Sequence, residues 1–197
     1  MTTQRTLRRG VDGQLVDAAQ ELAHVYLKGD PRRLNHSAGA ARAAAYAAAV
    51  LPTIPADVMI SAAWLHDIGY SPALAETGFH PVDGAVLLRR EGWDDQIVRL
   101  VAHHSFSRIT APFYGADAAL AEFAPLDGLV PDVLTFADAV AGVDGRGATI
   151  AQRLAELRQR PRGSTGVPPD VREQWYGLIT ASVDDVQRAI RSKPLAR

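Results

Sequence analysis

The chain contains no cysteine, which excludes disulfides, zinc ribbons, iron–sulfur clusters and cysteine nucleophiles together. Any transition metal it binds must be held by imidazole and carboxylate. That donor set suits iron, manganese, zinc, cobalt or nickel better than copper(I). Long apolar runs are missing as well. The longest, Ala43 to Leu51, falls far short of the roughly 20 residues that a bilayer-spanning helix needs, so no membrane partner is expected. The first residues are polar and arginine-rich with no apolar stretch behind them. They do not read as a secretory leader, and a cytoplasmic protein is the expectation. An excess of one charge is also lacking: 21 Lys+Arg stand against 22 Asp+Glu, a formal net charge of −1. The basic footprint of a protein that binds a nucleic-acid polymer is absent. Lysine occurs only as Lys28 and Lys193, so nearly all positive charge is guanidinium.

What is present is enough for one domain with a real core and a helical appendage: 197 residues, 47% of them hydrophobic. Alanine and leucine are abundant and no segment alternates in the manner of a strand, so the expectation is an all-α fold. The pattern predicts helices over Gln14–Lys28, Leu34–Leu51, Ala56–Asp67 and Pro81–Glu91, and a fifth from a cap at Asp94 to about Ser105. Residues 106–129 are less regular, with a short helix over Asp117–Phe123. Pro131 opens a helix running to about Val143, and Thr149 with Gln152 has capping-box spacing ahead of a helix to Arg160. Pro161–Pro169 reads as a linker or exposed loop and Asp170–Ile190 as a terminal helix. The expected organisation is an N-terminal helix (1–30) packed on a core (31–145), with a C-terminal helical extension (146–197).

Histidine placement carries the chemistry. There are six. His66 and Asp67 end the apolar segment Ala62-Ala63-Trp64-Leu65, and Asp138 interrupts Leu134-Thr135-Phe136-Ala137 and Ala139-Val140 in the same way. A carboxylate among buried residues is costly unless it is paired or bound to metal. His36 stands near the start of the second helix, His80 before the fourth, and His103 and His104 near the end of the fifth. Ligands from several helices can converge in this way on a bundle metal site. His24 is not expected to be a ligand.

The ordered set His36, His66-Asp67, His80, His103-His104 and Asp138 resembles the HD superfamily of metal-dependent phosphohydrolases, over about residues 32–143. Trp64 to Tyr70 looks like its signature helix end. The resemblance implies an HD-domain helical bundle in which His36, His66, Asp67 and Asp138 hold one divalent ion. Asp67 would bridge to a second ion that His80 and His104 also bind, and would be the catalytic carboxylate. His104 is favoured over its neighbour because His104-Ser105 looks like the family's His-Thr/Ser step. His103 is a further ligand, a partner of one, or a substrate contact. Asp83, three residues past His80, either orients that imidazole or stabilises its own first helical turn. Arg42, Arg108 and Tyr114 are candidates to contact substrate.

The expected function is hydrolysis of a small phosphorylated molecule, a nucleotide among the candidates, by metal-activated water. Two alternatives share the ligand outline: an HD-type di-iron oxygenase, and a non-catalytic metal-bound sensor domain. Metal identity, one ion or two, and oligomeric state are not fixed by the sequence.

Overall fold

A computed structural model describes residues 13–159 and 166–193. The arginine-rich leader and most of the expected 161–169 linker lie outside the described residues. Ten α-helices are described: α1 Gln14–Leu27, α2 Pro31–Val50, α3 Ala56–Leu65, α4 His80–Glu91, α5 Asp95–His103, α6 Ser107–Thr110, α7 Asp117–Leu120, α8 Leu129–Ala139, α9 Ile150–Gln159 and α10 Pro169–Arg191. No strand occurs among the described residues, only an isolated bridge between Ala141 and Gly147.

Helix α3 is the pivot. Its sequence is apolar all round, with Met59, Ala62, Ala63 and Leu65 at 0% exposure, as a helix surrounded on every side must be. It packs against α1, α2, α5 and α8, while α4 lies on α5 and α10 lies on α8. The alanine-rich stretch of α2 serves close approach. Ala40, Ala44 and Ala47 are fully buried, and a Cβ on Gly39 would sit 2.8 Å from the Gly145 carbonyl oxygen. None of the described helices is long and apolar enough to cross a membrane.

Boundary differences from the sequence expectation have local causes. Helix α2 starts at Pro31 rather than Leu34, because Asp30 caps it by accepting from the Arg33 amide (3.2 Å) and Pro31 takes the first helical position. The extra turn brings Arg33 onto the same helix as His36. Helix α8 ends at Ala139, short of the expected Val143, which leaves Asp138 in its final turn. The caps expected from sequence are in place. Asp94 accepts from the Gln96 amide (2.8 Å), and Thr149 and Gln152 close a reciprocal box. The irregular stretch holds α6 and a short α7 joined by a 3-10 turn, Ala111–Tyr114.

Candidate metal centre

Five of the six expected ligands lie at helix ends that converge, and the sixth, Asp67, follows directly on one of them. His66 is the C-cap of α3, His104 the C-cap of α5, and Asp138 the penultimate residue of α8. Three helix C-termini, each the negative end of a dipole, therefore meet where a cation would be stabilised. His36 stands in the second turn of α2, and His80 is the first residue of α4.

Three imidazoles are locked by the same device. His66 Nδ1–H donates to the Ala63 carbonyl (2.8 Å), His104 Nδ1–H to Val101 (2.6 Å) and His36 Nδ1–H to Ala141 (3.1 Å). A carbonyl can only accept, so each bond places a proton on Nδ1 and turns Nε2 inward toward the cluster. For His66 and His104 the acceptor is the carbonyl three residues back, one that the helix end leaves unpaired. Capping and metal ligation are thus one arrangement at these residues, and not alternatives.

Around Asp67 the distances are short. Asp67 Oδ1 lies 3.6 Å from His66 Nε2 and 3.6 Å from His80 Nε2, and His80 Nε2 lies 3.1 Å from His104 Nε2. Asp138 Oδ1 is 2.9 Å from His36 Nε2 and 3.8 Å from His66 Nε2. Two groups have ligand atoms all within 4.8 Å of one another: His36, His66 and Asp67, and Asp67, His80 and His104. They share Asp67.

The cluster fits a metal on independent grounds. His66 Nε2 is buried with no hydrogen-bond partner, which costs about 1–3 kcal/mol if nothing else satisfies it. The protonation states also suit coordination. Burial works to raise the Asp67 pKa, yet the charges of His66, His80, His36 and Arg33 hold it well below the usual carboxylate range. For Asp138, burial is likewise outweighed, by the His36 hydrogen bond and the charges of His66, His36 and Arg153. Burial, followed by the charge of His104, pushes His80 well below the ordinary imidazole value. Burial and the charge of His66 lower His104. Ionised carboxylates and neutral imidazoles are what a divalent ion requires. His36 differs: burial would lower its pKa, but the hydrogen bond and charge of Asp138 raise it.

The HD domain family matches residues 33–157, which spans the whole cluster. The chain belongs to the HD domain family. That membership places it in a superfamily of metal-dependent hydrolases, and the cluster is able to hold a divalent metal. The HD match runs beyond the expected core boundary at residue 145, into α9. Comparison with curated proteins and with solved structures finds no match.

His103 turns away from the cluster. Its Nε2–H donates to the Phe123 carbonyl (2.7 Å), and it lines a second pocket together with Arg108. Asp83 does not reach the His80 ring. Its oxygens accept from the Thr77 amide (2.8 Å), the Thr77 hydroxyl (2.7 Å) and the Gly78 amide (3.1 Å), fixing the turn from which His80 emerges. The His80 ring is instead stacked on Tyr70 at 3.7 Å, with the Arg33 guanidinium 3.2 Å from the Tyr70 ring centre. Arg42 is not among the residues lining the cavity above the cluster. It donates to the Gly145 carbonyl (2.5 Å) and clamps the close approach at Gly39. Arg108 is also off the cavity, whereas Tyr114 lines it.

That cavity, of about 830 Å³, has His36, Asp67, His80, His104 and Asp138 among the residues lining it. Sequence reading missed much of the rest. Arg33 also lines it, its Nη1 3.2 Å from Asp67 Oδ2. The spacing from Arg33 to His36, one helical turn on a shared face, was the available signal. Arg153, Arg172, Trp175 and Tyr176 come from α9 and α10, where no motif marks them. The turn after His104 was also unforeseen. Ser105 and Phe106 both have positive φ, 49° and 56°, a strained state for non-glycine residues. It is held by Ser105 Oγ donating to Asp138 Oδ2 (2.5 Å) and by the Trp175 indole N–H donating to the Ser105 carbonyl (2.5 Å).

Proposed function

We propose that this HD domain is a metal-dependent phosphohydrolase acting on a small phosphorylated molecule, with a nucleotide as the favoured class. The observation that carries the reading is the pair of ligand groups sharing Asp67 beneath a cavity lined by guanidinium. A divalent ion held there would supply Lewis acidity at a phosphoryl oxygen and a water acidic enough to attack at neutral pH. The chain's own residues do the rest. His36, His66, His80 and His104 present Nε2, and Asp67 and Asp138 present ionised oxygens. Asp67, common to both groups, fixes their separation. In the hydrolysis a P–O bond to the leaving alcohol breaks and a P–O bond to the water oxygen forms. One water proton goes to the departing oxygen, and from a monoester the other stays on the phosphate formed. Arg153 and Arg172 give the cavity guanidinium donors for an anion, which suits a phosphorylated substrate. The Trp175 and Tyr176 side chains on its wall suit a flat ring.

Elemental analysis of protein purified without chelators, followed by a screen of phosphorylated compounds, tests the proposal. Phosphate release should require metal, stop with chelator, resume on manganese addition and persist in anaerobic buffer. Dioxygen consumption by iron-loaded protein without phosphate release would assign it to oxygenase chemistry. Retained metal and a tightly bound small molecule, with no turnover on a broad panel, would make it a sensor.

A further inference from the structure

Arg153 is the anomaly of the cavity. It is 7% exposed, and a guanidinium so buried needs its five N–H donors satisfied. Its two ionic contacts are long, 3.4 Å to Asp138 Oδ1 and 3.4 Å to Glu156 Oε2. Charge-assisted bonds of this kind close to about 2.7–2.9 Å when made well. Asp138 has better partners, since Oδ1 meets His36 Nε2 at 2.9 Å and Oδ2 accepts from Ser105 at 2.5 Å. Glu156 is half exposed and reaches Arg153 only from the next helical turn. Arg33 offers the contrast, with Asp67 at 3.2 Å and Tyr70 stacked beneath it. One arginine is engaged. The other is buried, held by two long contacts, and open to the cavity beside the metal ligands.

We infer that Arg153 is the residue that grips the phosphoryl group, and that the substrate is a phosphomonoester. This rests on the phosphohydrolase reading above and sharpens it. A guanidinium fork takes two oxygens in one plane. A phosphodiester has two non-bridging oxygens, so both would have to serve the fork and the His/Asp cluster at once. A monoester has three, so two can lie on Arg153 while the third faces the cluster. Binding releases Glu156 to solvent, which offsets part of the cost of displacing its contact.

The test uses metal-loaded full-length protein, with inorganic phosphate as the binding probe and p-nitrophenyl phosphate and bis(p-nitrophenyl) phosphate as substrates. Arg153→Lys keeps the charge and loses the fork. It should retain metal content and melting temperature, bind phosphate about 10-fold or more weakly, and hydrolyse the monoester with a correspondingly raised KM. Unchanged phosphate affinity in that variant overturns the inference. Should Arg153→Lys lose metal, Arg153→Gln is measured in the same way; metal loss in both makes Arg153 a support for Asp138 and also overturns it. Wild-type turnover of the diester without the monoester defeats the monoester assignment and leaves the hydrolase reading standing. No p-nitrophenol release from either, with dioxygen consumed, defeats the hydrolase reading itself.

Discussion

His36, His66 and Asp138 stand on three helices that meet inside the core, whereas His80 and His104 stand where α4 and α5 open onto the cavity. The inner histidines are 4% and 0% exposed, and each is pinned at Nδ1 by a backbone carbonyl. His80 has a side chain 20% exposed and takes its orientation from Tyr70 stacking and from a turn held by Asp83. The His66 lock belongs to its own helix end, and the His36 lock is the Ala141 carbonyl just beyond the end of α8. Stacking on a half-open aromatic is softer. His104 shares the carbonyl lock, through Val101, and is 5% exposed, so the outer ion position differs from the inner one at His80, with Asp67 answering to both.

The largest effect should come from the residue the two positions share. Asp67→Ala removes a donor from both ligand groups and leaves Arg33 without its closest carboxylate contact. Metal per protein should fall to near zero and any hydrolytic activity with it, read by elemental analysis of the purified variant. Full occupancy would show that the shared carboxylate is dispensable, and the two-position description would fail. His80→Ala should do less: it touches only the outer group, so the metal ratio should drop without reaching zero. A ratio identical to wild type would make a single inner ion the better description.

Much of this was legible from sequence, and the reason is physical. His66, Asp67 and Asp138 are polar residues embedded in apolar helix segments, so burial and pairing could be argued before any coordinates. The resemblance to the HD superfamily then implied His36, His80 and His104. Pro31, Pro81, Gly69 and the caps at Asp94 and Thr149 act within a turn of themselves, which is the range at which sequence pattern is informative. What escaped was long-range. Nothing near Arg153 or Trp175 in the chain says that α9 and α10 return to wall the cavity. Arg42 and Arg108 are polar and near the right helices, but their direction is set by packing partners more than 100 residues away for Arg42 and by the local turn for Arg108. His103 and His104 are adjacent and chemically identical. Only the end of α5 separates them, sending His104 inward to Val101 and His103 outward to Phe123. The positive-φ pair Ser105-Phe106 had no signal either, since neither residue favours that conformation; tertiary bonds from Asp138 and Trp175 impose it.

The gentlest probe of the contrast is Gly69. A Cβ there would lie 2.0 Å from the His80 carbonyl oxygen and 2.6 Å from the Gly84 amide nitrogen. Both are backbone atoms, so no side chain can rotate aside. Gly69→Ala must push the first turn of α4 away from the end of α3, and His80 moves with it. Overpacking of this kind costs about 1–3 kcal/mol, visible as a lowered melting temperature. The inner group does not involve α4, so the first ion should stay bound at wild-type strength. The second should weaken by roughly 10-fold or more, as when a ligand's supporting contacts are disturbed. Titration with manganese in the destabilised but folded variant separates the two. Equal weakening of both ions would mean that the inner and outer positions are mechanically one unit, with the carbonyl locks giving His36 and His66 no independence from α4.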